Sequence, residues 1–311
     1  MTVLPLHEKN DPILGDAEMK LWIIMLIVLT GFPATAQVQI PTAVNSDPEP
    51  DKANPAATIA FSIPTGGVEV NALLYRAAGA GPHPTVFVLH GWPGNEKNFD
   101  IARSAQRAGW NAITFNYRGS WGSPGNWTFA HTTEDTEAAL AYIRRKEVTE
   151  RFGIDPKKIA VVGHSLGGWL SIRLAAVDGG LLGAAAISAP DMGGQGIAAA
   201  KDRNAAMPIA IANTRALAGS TPDGATDELI ARGPEWTYEK MLPGLKGQRL
   251  LVLSSDDGFG HYSDALSTGA TAAGAQVERH HAQTDHAWSD RRILLQAYVI
   301  NWLETLTLVK D

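Results

Sequence analysis

Gly163-His164-Ser165-Leu166-Gly167 follows the pattern G-x-S-x-G. A serine flanked in this way suits a nucleophile on a tight turn, because small residues two positions before and after it prevent backbone clashes. The pattern recurs by chance in glycine-rich chains, so its setting carries the weight. Here the apolar run Ile159-Ala160-Val161-Val162 leads into it, and a helix-like stretch, Leu166–Val177, leads out. A helix starting at Leu166 points its first N–H groups and the positive end of its dipole at the serine oxygen. The Leu166 N–H is therefore a candidate donor to an oxyanion.

A serine hydroxyl needs a base to take its proton, and the base needs an acid to orient it. His286, in Asp285-His286-Ala287-Trp288, is the candidate base. Asp257, just past the apolar run Leu250–Ser254, is the candidate acid, with Asp256 and Asp191 as alternatives. His90-Gly91-Trp92-Pro93-Gly94 follows another apolar run. Gly91 lets the backbone swing inward, and the Trp92 N–H is the candidate partner donor to Leu166. Preorganised amides of this kind can lower a barrier by about 3 kcal/mol.

The elements that must carry these residues alternate along the chain. Strands are expected at Thr58–Ile63 and Val68–Tyr75, joined by a Thr65-Gly66-Gly67 turn, and at Thr85–His90, Asn111–Tyr117, Ile159–Gly163, Leu182–Ser188, Leu250–Ser254 and Val277–His281. Helices are expected at Glu96–Ala108, Thr133–Arg151, Leu166–Val177, Tyr262–Ala273 and Asp290–Leu306. Such alternation predicts an α/β fold: a mostly parallel sheet of about eight strands, helices on both faces and an antiparallel leading hairpin. Each candidate residue falls just beyond the carboxyl end of a strand, where open α/β sheets build their sites. The long stretch Asp191–Gln248 breaks the rhythm. It is expected to form a small helical cap, spanning about 191–248, over that edge of the sheet.

The segments HGWPG, YRGSWGSPG (Tyr117–Gly125), GHSLGG and DHAW together resemble the α/β-hydrolase family. They are most similar to branches that include dienelactone-hydrolase-like esterases and prolyl-oligopeptidase-like proteins. The resemblance spans roughly Thr58 to Leu306. It implies a nucleophile at Ser165, oxyanion donors at Trp92 and Leu166, a base at His286 and an acid that follows in the order Ser165, Asp257, His286. The glycine that usually precedes the acid stands here as Ser254, and some members carry the acid where Asp191 stands. The activity implied is hydrolysis of small-molecule carboxylic esters or other acyl substrates through an acyl-enzyme, with no cofactor and no metal. A peptidase or acyl-peptide hydrolase is the second reading, and a non-catalytic binding protein on the same fold is the third.

Other polar residues have plainer expectations. His164 is read as packing, and His90 as a brace for the oxyanion loop. His280 and His281 are adjacent on a strand, so they point to opposite faces and do not share an ion. His131 and His261 are read as structural, and Arg118 as an anchor between loops. Two of Trp121, Trp127, Trp236 and Trp288 are expected to line the cleft.

Composition sets the outer limits. The chain has 311 residues, 45% hydrophobic and 19% charged, with 26 Lys+Arg against 32 Asp+Glu and a net charge of −6. The absence of a basic run argues against nucleic-acid binding. With 0 Cys, disulfides, thiolate metal sites and a cysteine nucleophile are excluded. Leu21–Leu29 is an unbroken apolar run followed by Thr30–Ala36, TGFPATA. This pattern predicts a signal peptide over residues 1–36, with a start at Met19 favoured by the adjacent Lys20. The mature protein is then expected to be secreted or periplasmic, without a stable membrane anchor. Residues 37–57, rich in Pro, Asn, Asp and Ala, read as a linker, and 58–311 as the folded domain.

Overall fold

The structure is a computed structural model that describes residues 38–308. The signal-peptide reading of residues 1–36 lies outside the described residues.

Eight strands form one sheet: β1 (Ala57–Thr65), β2 (Val68–Arg76), β3 (His83–Leu89), β4 (Asn111–Phe115), β5 (Ile154–His164), β6 (Gly183–Ile187), β7 (Arg249–Ser255) and β8 (Gln276–Ala282). Their order is β1-β2-β4-β3-β5-β6-β7-β8. β2 pairs antiparallel with both neighbours, and every other pairing is parallel. The central strands β4 and β6 are buried along their whole length. Alternation along them sends side chains into two separate cores. In β5, Ile159 and Val161 enter one core while Ala160 and Val162 enter the other.

Helices cover both faces: α1 (Thr42–Asn45), α2 (Phe99–Arg107), α3 (Phe129–Ile143), α4 (Lys146–Phe152), α5 (Leu166–Val177), α6 (Met192–Lys201), α7 (Arg203–Thr214), α8 (Pro222–Arg232), α9 (Tyr238–Met241), α10 (Gly260–Ala272) and α11 (Arg292–Leu308). Apolar residues of α2 and α11 pack on one face of the sheet, and those of α3, α4, α5 and α10 on the other.

Two expectations need correction. The single helix expected over Thr133–Arg151 is two helices. It begins earlier, at Phe129, because the Thr128 side chain accepts from the His131 N–H at 3.0 Å and caps it. It breaks at Arg145, whose backbone is extended at φ −65°, ψ 139°. The stretch read as a linker over 37–57 is docked along part of its length. It carries α1, its Val44 is buried, and Arg107 donates to the carbonyls of Ala43 and Val44.

The Asp191–Gln248 insertion forms a cap from α6 to α9, as its length and composition imply. Asp191 caps α6 by accepting from the Gly193 N–H at 3.1 Å. Glu228 of α8 accepts from the free N–H groups of Phe129 and Ala130 at 2.9 and 2.7 Å, which ties the cap to the start of α3. The Ala218 N–H donates to the Gly119 carbonyl, and the Trp127 N–H donates to the Ala218 carbonyl. Arg118 anchors this region from beneath. Its Nε and its backbone N–H both bind the buried Asp135 carboxylate, at 2.6 and 2.7 Å.

Candidate active site

β5 ends at His164 and α5 begins at Leu166, leaving Ser165 on the turn at φ 57°, ψ −123°. That conformation is strained for a residue with a side chain and persists only when its surroundings hold it. The Ser165 N–H donates to the Ile187 carbonyl at 2.9 Å. Close approach accounts for the flanking glycines. A methyl on Gly163 would lie 2.0 Å from the Gly167 carbonyl oxygen, and one on Gly167 would lie 2.3 Å from that of Leu89. Leu166 is the first residue of α5, so its N–H has no acceptor within the helix.

The loop after β3 passes directly over this turn. A methyl on Gly91 would lie 2.9 Å from Ser165 Cβ and 3.4 Å from its Oγ. The loop is braced from three sides. His90 Nδ1–H donates to the Gly91 carbonyl at 2.8 Å, the Tyr117 hydroxyl donates to the His90 carbonyl at 3.0 Å, and the Trp121 indole donates to the Pro93 carbonyl at 2.7 Å. Burial, reinforced by the charge on Lys97, pushes the His90 pKa down to about 3. The ring braces the loop by hydrogen bonding, the role read for it from the sequence. Trp92 stacks on Trp127 at 5.8 Å between ring centroids, which fixes the backbone that carries its N–H.

His286 Nδ1 donates to Asp257 Oδ2 at 2.7 Å. The Asp257 side chain is 3% exposed, and that of His286 is 38% exposed. Burial opposes the charge on Asp257. Hydrogen bonds from His286 and the Phe259 N–H outweigh that effect and hold the carboxyl below the usual carboxylate range. The Phe259 ring meets the imidazole edge-on, at 5.5 Å and 80°.

The two alternative acids are engaged elsewhere. Asp256 binds His281 Nε2 at 3.1 Å. Asp191 accepts from the Gly193 and Tyr238 N–H groups, and burial raises its pKa against their pull. His280 turns to Glu278 at 2.8 Å and stacks on Tyr298, so the two adjacent histidines have different partners. His131 and His261 each bond a nearby backbone carbonyl, of Asn126 and Gly258. Among the described residues, no group of three or more His, Cys, Asp or Glu is placed to hold a metal ion.

Ser165, Leu166, Trp92 and His286 line one cleft of about 290 Å³, which the cap closes on its other side. Its walls are mainly apolar: Met192, Ile209 and Leu229 from the cap, with Phe259 from below. No hydrogen bond joins Ser165 to His286 among the described residues. Catalytic contacts of this kind are often long until substrate binds. The expectation that two of four tryptophans line the cleft fails. Trp127, Trp236 and Trp288 are core residues, and Trp121 braces the Pro93 carbonyl. Trp92, read from the sequence only as a backbone donor, is the tryptophan in the cleft wall. Sequence alone also understated His164, whose Nε2–H reaches the His286 carbonyl at 2.7 Å.

A sequence profile described as the alpha/beta hydrolase family matches residues 86–304. The chain belongs to that family. The alpha/beta hydrolase fold also relates it to solved structures at low sequence identity. A thermostable carboxylesterase, EstE1, cloned from a metagenomic library, is 18% identical with a TM-score of 0.61, covering 82% of this chain and 91% of its own. An esterase of Pyrobaculum calidifontis is 15% identical with a TM-score of 0.63, covering 83% and 88%. An acylaminoacyl peptidase of Pyrococcus horikoshii is 15% identical with a TM-score of 0.60, covering 80% of this chain but 41% of its own.

Proposed function

We propose that this alpha/beta hydrolase is a serine esterase that cleaves carboxylic esters through an acyl-enzyme. One observation carries the reading: the 2.7 Å Asp257–His286 contact faces a cleft that Ser165 lines from a strained elbow. In the first half of the cycle, His286 Nε2 takes the Ser165 proton as Oγ bonds to the carbonyl carbon. The Trp92 and Leu166 N–H groups receive the oxyanion. Collapse breaks the bond to the alcohol oxygen, which takes the proton from His286. In the second half, His286 removes a proton from water as it attacks the acyl carbon, and that proton returns to Ser165 as the acid leaves. Asp257 stays ionised and stabilises the imidazolium. The substrate is a small-molecule ester, and its apolar part is placed against Met192, Ile209 and Leu229.

The test is a panel of 4-nitrophenyl esters beside aminoacyl anilides. Ester turnover that disappears in Ser165→Ala supports the reading. Turnover restricted to the anilides replaces it with the acyl-peptide reading, which the likeness to the acylaminoacyl peptidase motivates. Absence of any turnover, together with no reaction at Ser165, returns it to a binding protein.

The leader reading of residues 1–36 belongs to the same proposal and makes the mature enzyme secreted or periplasmic. Amino-terminal sequencing of the exported protein is expected to begin at Gln37. Among the described residues, no helix is long and apolar enough to cross a membrane.

A further inference from the structure

Trp92 belongs to no helix or strand, so no regular element sets the direction of its N–H. Its partner donor, Leu166, is the first residue of α5 and takes its direction from the helix. Trp92 is instead flanked by two held carbonyls. Before it, the Gly91 carbonyl accepts from His90. After it, the Pro93 carbonyl accepts from the Trp121 indole at 2.7 Å. His90 is only 2% exposed and is fixed by the core around it, whereas Trp121 is 40% exposed and needs some other support.

That support is a closed circuit of side chains. The Trp121 carbonyl accepts from Asn116 Nδ2 at 3.1 Å. Asn116 Oδ1 accepts from Lys97 Nζ at 2.6 Å. Lys97 Nζ in turn lies over the Trp121 ring, 4.9 Å from its centroid, where the negative face of the ring attracts a cation. A backbone carbonyl only accepts, so the Asn116 amide has one orientation here, with Nδ2 toward Trp121 and Oδ1 toward Lys97. Burial pushes the Lys97 pKa down to about 7, but ammonium and amine both donate, so the bond to Asn116 holds in either state. The neighbouring carboxylates of Glu96 and Asp100 face Arg292 and leave Lys97 to this circuit.

Asn116 is a firm base for it. This residue directly follows β4, its N–H donates to the Asn71 carbonyl of β2 at 3.0 Å, and its own carbonyl accepts from Ser123 Oγ at 2.9 Å. Trp121 adopts a left-handed backbone, φ 48°, without being glycine, a strain that persists only where the surroundings hold it. Pro93 and Lys97 lie in the same loop, between β3 and α2. The circuit therefore fastens that loop at two points to the end of β4.

We propose that Trp121, seated by Lys97 and Asn116, is a positioning residue that fixes the aim of the Trp92 N–H at the oxyanion. An amide donor lowers the barrier only when it is already directed at the oxygen that becomes charged. A small misplacement of such a group costs rate more than substrate affinity. The proposal rests on the esterase reading, with Trp92 as one of its two oxyanion donors.

The test compares Trp121→Phe, Lys97→Met and Lys97→Arg with the wild type in the full chain. Each is assayed on a 4-nitrophenyl ester and with an alkylboronic acid as inhibitor. Ser165 Oγ adds to boron and its proton passes to His286, which leaves a tetrahedral adduct with one boronate oxygen facing the Trp92 and Leu166 N–H groups. Trp121→Phe keeps the ring and removes the indole donor. It is expected to lower kcat about tenfold, to leave KM within about twofold, and to raise the boronic acid Ki about tenfold. Lys97→Met keeps the stem and removes the charge and the donor. It is expected to change kcat and Ki about threefold in the same directions, and Lys97→Arg, which keeps a donor and a cation over the ring, to recover most of both.

Wild-type kcat and Ki in Trp121→Phe, a loss carried by KM, or a fall in kcat with Ki unchanged overturns the proposal. So does a loss in Lys97→Arg equal to that in Lys97→Met. Should Trp121→Phe fail to fold, the two Lys97 variants decide by the same criteria. Ser165→Ala separates the two readings. If that variant turns over normally, the esterase reading with Ser165 as nucleophile fails. If it is inactive while Trp121→Phe matches the wild type, the positioning role of Trp121 alone fails.

Discussion

His164, the residue before Ser165, donates through Nε2 to the backbone carbonyl of His286 at 2.7 Å. The elbow that holds the candidate nucleophile is thereby tied to the loop that holds the candidate base. The two rings lie 4.7 Å apart between centroids. His164→Phe removes the tie while keeping bulk, and is expected to reduce kcat about tenfold with a smaller effect on KM. Steady-state kinetics on one ester checks this, and an unchanged kcat would make His164 simple packing after all.

The same histidine sets a pH dependence of stability. Burial, with the charge of His286 adding to it, pushes the His164 pKa down to about 4, and burial pushes that of His90 to about 3. An imidazole in the unfolded chain titrates near 6.5. Between these values the unfolded chain binds protons that the folded protein refuses, so stability falls as pH drops from about 6.5 toward 4. For His164 the full loss is on the order of 3 kcal/mol. Urea unfolding at several pH values measures the slope, and His164→Gln is expected to flatten it in part. A profile that is flat from neutral to about pH 4.5 would be inconsistent with buried neutral rings.

The adjacent aspartates differ in partner and should differ in effect. Asp257→Asn is expected to lower kcat by about 10³ or more, because the amide no longer fixes the imidazole tautomer. Asp256→Asn loosens only its contact with the exposed edge residue His281, and turnover is expected to stay within about twofold of wild type. A large loss in Asp256→Asn with a small one in Asp257→Asn reverses the assignment.

Arg118 and Asp135 form a buried ion pair, with side chains 7% and 0% exposed. Thr65 Oγ1 also donates to Asp135. Asp135→Ala leaves the guanidinium buried without its main partner and is expected to destabilise the fold by about 3 kcal/mol. Thermal unfolding reads this directly, and a melting curve like that of the wild type contradicts it.

Met192 lines the cleft from the first turn of the cap. Met192→Trp fills part of the apolar wall, so preference is expected to shift from longer to shorter acyl chains, with kcat/KM for octanoate falling more than for acetate. Equal changes for both esters would place the acyl group away from Met192.

Much of this arrangement was legible in the sequence, for identifiable reasons. Ser165, Asp257 and His286 stand out because each follows an apolar run that forms a strand, and parallel strands bring such positions to one edge. Position after the strand favoured Asp257 as the acid but left Asp256 and Asp191 open. Asp256 and Asp257 are adjacent, and only the turn after β7 decides which carboxylate faces His286. The tryptophans were misjudged because cleft lining depends on where the cap sits, and helix periodicity does not encode that. The docking of α1 was missed because composition reports linker character but not the Arg107 contacts that hold the segment.

The most direct measurement treats the full chain with a fluorophosphonate and locates the adduct by peptide mass spectrometry. The expected result is a single phosphonyl adduct on Ser165 that is slowed strongly in His286→Gln and absent in Ser165→Ala. Efficient labelling of a different residue, or none on wild type that is shown to hydrolyse esters, would contradict the assignment of Ser165 as the nucleophile.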